Sequence, residues 1–338
     1  MSMSQNHPYR SLQVPSDAPF ELKPSSGKGW GAFATRRIEK GAMILMEKPL
    51  FIIRKPHEEI REEDVWIAIQ QLAPREKEQF LFLRDNASKP FIYLTEAFAE
   101  NSFAIPNSTR DQANDPPIHG IFLLHSRFNH SCIPNSKIPT SGEETITSFA
   151  TRDIVAGEEI TFCYNPGFEC RTRHDRHQAL RFVCDCKACL AGTLFQQLSD
   201  MRRRLIRGLQ YLTLGEDLNG QRQGSASPII VDSQLKRAAE DFSIPLSARL
   251  IYNILVVYLL EEEGLLDDFM IERLNPDILQ IAALFETKRN ARIARLVIVQ
   301  KTWLDKLNMA FRLYRRADIA DHAITMQLRM LRGLSVTT

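Results

Sequence analysis

No cysteine occurs before residue 132 or after residue 189, so all six thiols of this 338-residue chain fall in one region. That pattern excludes a disulfide framework spread through the fold, and in a reducing compartment clustered thiols argue for metal. Long apolar runs are missing as well. The most hydrophobic stretch, LIYNILVVYLL at 250–260, falls short of the roughly twenty residues a bilayer requires. It is also interrupted by Asn253, which suits a buried helix rather than a membrane span. The opening MSMSQNHPYRS lacks the apolar centre of a secretory signal, so nucleus or cytoplasm is the expected residence. Excess charge of either sign is absent too. The 43 Lys and Arg nearly cancel the 41 Asp and Glu, leaving +2, which gives no whole-molecule attraction to nucleic acid.

What is present is the balance of a globular protein, 44% hydrophobic and 25% charged, in a chain long enough for two domains. After a leader over 1–19 that reads as flexible, residues 21–55 alternate glycine turns with short apolar runs, the pattern of strands and hairpins. From about 56 to 100 the apolar spacing becomes helical, with Pro74 separating pieces. Strand character returns over 101–165, where TITSFATRDIVAGEEITFCY reads as two β segments joined through an Ala-Gly turn. Beyond 193 the chain is rich in Leu, Ala, Arg and Glu, and helices are expected over 194–214, 233–241, 246–263, 276–287, 290–314 and 317–332.

Two short stretches carry chemistry. CDCKAC (184–189) sets Cys184, Cys186 and Cys189 at a spacing that supplies three soft thiolates to a tetrahedral zinc, with Cys132, Cys163 and Cys170 as candidates for the fourth place. SRFNHSCIPNSK (126–137) packs Asn129, His130, Cys132, Pro134 and Asn135 into seven positions. It cannot be an ordinary buried strand, because each polar side chain would need a partner and Pro134 withholds a backbone donor.

Four blocks in order, GKGWGAFA (27–34), NSF (101–103), FNHSCIPN (128–135) and GEEITFCY (157–164), followed by CDCKAC, resemble the SET-domain protein methyltransferases. The likeness is to the SMYD-type and fungal branch and covers about 20–192. Departures are the missing MYND finger and Lys28, which stands where SMYD-type members often carry asparagine. The resemblance implies an α+β fold with these parts: a β-rich SET domain over 20–165 containing a helical insert and a pseudoknot, a zinc-binding post-SET segment over 166–192, and an α-helical C-terminal domain over 193–338.

It further implies S-adenosylmethionine as cofactor, held by Lys28, Gly29 and Trp30 through backbone groups and by Asn101, Asn129 and His130. Phe182 would stack on the adenine. Cys132 would complete one structural zinc ion with Cys184, Cys186 and Cys189. Tyr164 would be the essential tyrosine, contacting both the cofactor and the incoming amine, and Phe103 and Phe162 would line a lysine channel. The implied function is lysine methylation of a protein or peptide substrate, histones included. The alternatives are a catalytically silent peptide- or chromatin-binding scaffold, and a nucleic-acid-binding zinc protein suggested only by the basic surplus over 284–338. Two charged runs stand out besides. Glu58, Glu59, Glu62, Glu63 and Asp64 would border the peptide groove, whereas Arg171, Arg173, His174, Arg176 and His177 read as a solvated helix face.

Overall fold

The glycine-punctuated start folds as strands. β1 (Phe20–Ser25) and β2 (Gly29–Ala34) form an antiparallel hairpin running from Phe20↔Ala34 to Ser25↔Gly29. The turn carries Gly27 and Gly29 at φ 73° and 75°, a left-handed backbone that glycine adopts without a Cβ clash. This computed structural model describes residues 7–85, 89–105, 116–139, 145–180, 182–214, 256, 259–267 and 270. The chain divides into two compact units, Met1–Cys163 and Tyr164–Thr338.

In the first unit β3 (Met43–Glu47) and β4 (Ile52–Arg54) lead into the insert, whose helices are α1 (Glu62–Gln70), α2 (Pro74–Leu81) and α3 (Leu94–Asn101). Pro74 sits in the first turn of α2, where its missing N–H costs nothing. The Glu76 carboxylate accepts from Ala73 N at 3.0 Å and the Asp64 carboxylate from Arg61 N at 2.9 Å, each satisfying a donor at a helix start. Glu62 accepts from Leu94 N and Thr95 N at 2.8 and 3.0 Å, so it fixes the start of α3 against α1. Two of the five acidic residues expected to face a substrate are thus engaged within the fold.

The strands that follow are β5 (Ser102–Ile105), β6 (Ile118–Ile121), β7 (Asn129–His130), β8 (Ser136–Lys137), β9 (Ile146–Ala150) and β10 (Glu159–Phe162). They form three small sheets with the orders β1-β2-β10-β7, β3-β9-β8 and β4-β6-β5. The two expected β segments of 145–164 are β9 and β10, and Gly157 at φ 84° turns the chain between them. β10 lies antiparallel to β2 and parallel to β7, pairing Thr161 with Asn129 and Phe162 with His130.

One core joins these layers, with Val65, Ile69, Phe80, Phe98, Ile121, Phe128 and Ile160 all buried in it. Tyr9 and Leu12 belong to the same core, so the expected flexible leader is anchored at these two residues. Its reason is local: a 3-10 turn, Pro8–Ser11, presents the Tyr9 ring inward, and the Tyr9 hydroxyl accepts from Arg84 N at 2.7 Å.

In the second unit a 3-10 turn (Phe168–Cys170) precedes α4 (Arg173–Leu180) and α5 (Leu194–Leu214). Within this unit Arg203 donates to Phe168 O at 2.6 Å and pairs with buried Glu263 at 2.9 Å. α5 coincides with the first helix expected beyond 193, and residues 259–263 continue the helical character expected there. The helices expected over 233–241, 276–287, 290–314 and 317–332 lie outside the described residues. Among the described residues no helix is long and apolar enough to cross a membrane.

Candidate functional site

The parallel pairing of β7 with β10 brings the NHSCIPN motif beside the strand that leads to Tyr164. Asn129 donates from Nδ2 to Trp30 O at 3.2 Å and to Glu159 Oε1 at 2.7 Å, and Glu159 Oε2 stands 3.6 Å from Lys28 Nζ. Glu159 therefore joins two of the expected cofactor residues, Lys28 and Asn129, and Asn129 links them to Trp30, although sequence reasoning gave Glu159 no part. Nothing in GEEITFCY distinguishes that carboxylate from a solvated one. Gly31 is the second omission. A Cβ there would lie 2.3 Å from Glu159 Oε1 and 2.9 Å from Asn129 Nδ2, so only glycine admits this arrangement.

Trp30 is buried, stacked by the His7 ring at 4.6 Å and met edge-on by Tyr9 at 6.1 Å. Its side chain is a core element, which leaves the main chain at 28–30 to meet a ligand. Asn101 ends α3 with its side chain buried, donating to Ala97 O at 2.7 Å and accepting from Arg127. The Arg127 guanidinium lies over the Tyr9 ring at 4.4 Å. Burial lowers the His7 pKa, and the positive charges of Arg84, Arg127 and Arg10 push it the same way.

The 126–137 loop satisfies polar groups against the β10 segment. Asn135 is buried; its Nδ2 donates to Glu158 Oε1 and Glu159 O at 3.0 and 2.9 Å, and its Oδ1 accepts from Thr161 N at 2.8 Å. Ser131 N donates to Phe162 O at 3.0 Å. The His130 ring is buried with Nε2 3.2 Å from Cys132 Sγ, so that edge of the imidazole faces the thiol.

Phe103 and Phe162, both half-buried, stack with centroids 5.6 Å apart, and Phe122 meets Phe103 edge-on at 5.8 Å. Nearby, His125 lies between Glu47 (2.8 Å) and Ser148 (3.1 Å), the order of an acid-base-nucleophile chain. Ser148 is fully buried, which removes it from any substrate and makes the chain a structural link between β3 and β9.

In the second unit Tyr164 is 41% exposed and Phe182 37% exposed, their rings edge-to-face at 6.4 Å. Aromatic rings of this partial exposure suit a flat heterocycle or a cationic centre.

Within the second unit the sulfur atoms of Cys184, Cys186 and Cys189 all lie within 4.8 Å of one another. Tetrahedral zinc with bonds of about 2.3 Å holds its sulfurs roughly 3.8 Å apart, so this donor set fits the ion. Cys163 and Cys170 are half-buried and outside that group. The basic run on α4 differs from a solvated face. Arg176 is wholly buried, and Arg173 donates to Cys189 O at 2.7 Å.

Residues 29–165 match the SET domain family model. The chain is 30% identical over 195 residues to "Histone-lysine N-methyltransferase set5" of Schizosaccharomyces pombe, an alignment covering 55% of each protein. It is 43% identical over 83 residues to the Homo sapiens "Protein-lysine N-trimethyltransferase SMYD5", covering 21% of this chain and 19% of that protein. With the Homo sapiens "Histone-lysine N-methyltransferase SMYD3" the identity is 37% over 107 residues, 30% of this chain and 23% of the relative. The chain thus spans about half, or less, of the length of the relatives it matches. Motif order and this similarity agree that residues 29–165 resemble a SET domain, with relatives among the SMYD and fungal methyltransferases.

Proposed function

We propose that the chain is an S-adenosylmethionine-dependent protein-lysine N-methyltransferase, with histones among its candidate substrates. The observation that supports this best is the β7–β10 register, which sets Asn129 and His130 against Thr161 and Phe162, two residues before Tyr164. In this reading the main chain of Lys28, Gly29 and Trp30 binds the cofactor together with Asn101, Asn129 and His130, the last through its backbone. Phe182 covers the adenine. Cys132, Cys184, Cys186 and Cys189 hold a structural zinc, with 166–192 as a post-SET segment and 193–338 as a helical domain. The segment carrying Tyr164 threads the 128–135 loop as a pseudoknot.

When bound, the cofactor supplies an electrophilic sulfonium methyl. The chain must deliver a neutral amine to it. A lysine with pKa about 10.4 is mostly protonated at neutral pH, a deficit of roughly 3 units or about 4 kcal/mol. An aromatic wall such as the stacked Phe103 and Phe162 disfavours the charged ammonium by desolvation and aligns the amine. Tyr164 offers its hydroxyl to orient that amine. Phe162 places no hydroxyl in the wall, which leaves room for more than one methyl group.

The test is transfer of labelled methyl from the donor to histones and to a cell extract, with Tyr164→Phe run in parallel. Labelled protein from the native chain and a loss on the order of a hundredfold in the variant are expected. Equal background in both, with no heat of donor binding by calorimetry, overturns the enzyme in favour of a scaffold.

A further inference from the structure

Arg176 is buried without any exposure, and its partners make it part of the metal centre's surroundings. One nitrogen, Nη2, donates to Cys189 Sγ at 3.2 Å and to Ala188 O at 2.9 Å, and the other, Nη1, donates to Arg171 O at 2.6 Å. The carboxylate facing it, Asp200, stands off at 3.7 Å. By contrast, Arg202 and Arg203 hold Glu263 at 2.7 and 2.9 Å. Arg173, one turn earlier on α4, grips Cys189 O at 2.7 Å and donates from its own N–H to Asp200 at 2.6 Å. The segment they clamp is a tight turn in which Cys189 N donates to Cys186 O at 2.7 Å.

A guanidinium does not lose its proton on burial, so Arg176 carries a full charge in the interior and must find anionic compensation there. Four thiolates against one divalent cation leave excess negative charge in a buried cluster, which needs a cationic neighbour equally badly. The two requirements meet at the 3.2 Å Nη2 to Sγ contact. Only a forked donor can bond the sulfur and two carbonyls at once and so fix the Cys189 rotamer.

We propose that Arg176 is a positioning residue for the zinc centre, balancing the thiolate charge and orienting Cys189 toward the ion. This rests on the cysteine cluster holding zinc. Partners just outside a ligand shell typically contribute about 10- to 100-fold to metal affinity, and that is the effect expected here.

The test uses the full-length protein in native, Arg176→Met and Arg176→Lys forms, with zinc content by elemental analysis and affinity by competition with a chromophoric chelator. The native chain is expected to retain one zinc. Arg176→Met is expected to bind it at least tenfold more weakly, and Arg176→Lys, which restores the charge without the fork, to fall between. Relative to the native protein in the same state, thermal midpoints should drop more for zinc-loaded Arg176→Met than for its chelator-treated form, an asymmetry that a purely structural role would not produce. If Arg176→Met does not fold, cadmium-113 NMR of the native protein decides. A scalar coupling between the metal and the Arg176 Nη proton through Cys189 Sγ supports the proposal, and its absence from resolved Arg176 resonances overturns it. Native protein with zinc but Arg176→Met affinity within twofold of native refutes the role of Arg176 alone. Native protein without zinc refutes the metal reading itself.

Discussion

Gly31 leaves beside its Cα the space that Glu159 Oε1 and Asn129 Nδ2 occupy. Gly31→Ala must therefore push that pair aside. It should cost about 1–3 kcal/mol in denaturant unfolding and weaken donor binding in calorimetry, since Asn129 would no longer be held against Trp30 O. Asn129, His130 and the CDCKAC thiols were legible from sequence as candidates because the motif itself carries the residue types the proposed chemistry requires. Glu159, Gly31 and Arg176 were not. Their parts arise from pairings such as Glu159 with Asn129, or Arg176 with Cys189, that join separate elements and leave no mark on local spacing.

Helices and strands differ in how much of themselves they announce. α5 repeats its apolar positions over 21 residues, long enough for the period to show, and its bounds coincide with those expected. β7 and β8 are two residues each, too short for any alternation to be seen. What holds them is side-chain chemistry. Asn135 imitates a strand neighbour by accepting from Thr161 N and donating to Glu159 O, which ties the loop to β10. Asn135→Ala should leave the buried Thr161 N–H without that acceptor, at a cost of about 1–3 kcal/mol read by chemical denaturation. A leucine side chain of similar bulk would fare no better, because the demand is for polar atoms rather than volume, and Asn135→Leu is expected to lose as much.

Acid should unsettle the first unit. Hydrogen bonding from Lys55 holds Asp64 below the usual carboxylate range, and the Lys40 main-chain N–H does the same for Asp153. Burial pushes Glu158 and Glu62 upward. It is outweighed at Glu158 by hydrogen bonds from Arg152, Asn135 and Val155 N, and at Glu62 by those from Leu94 and Thr95, so both end lowered. Carboxylates with depressed folded-state values add stability that is complete above their ordinary pKa, about 4, and is lost as pH falls through the folded value. Thermal midpoints should thus be flat near neutrality and decline below about pH 4. Glu158→Gln should lower the midpoint at pH 7 while making the acid decline shallower.

The order of strands in the main sheet bears on how the chain is made. β10 sits in the interior of β1-β2-β10-β7, yet it is the last of those four strands to leave the ribosome. Until it emerges, the edge of β2 that accepts Glu159 and Ile160 is bare, a row of unpaired amides and carbonyls open to wrong partners. Nearly the whole 29–165 segment must be synthesised before that gap is filled, and truncation just before residue 159 is expected to leave an aggregation-prone fragment.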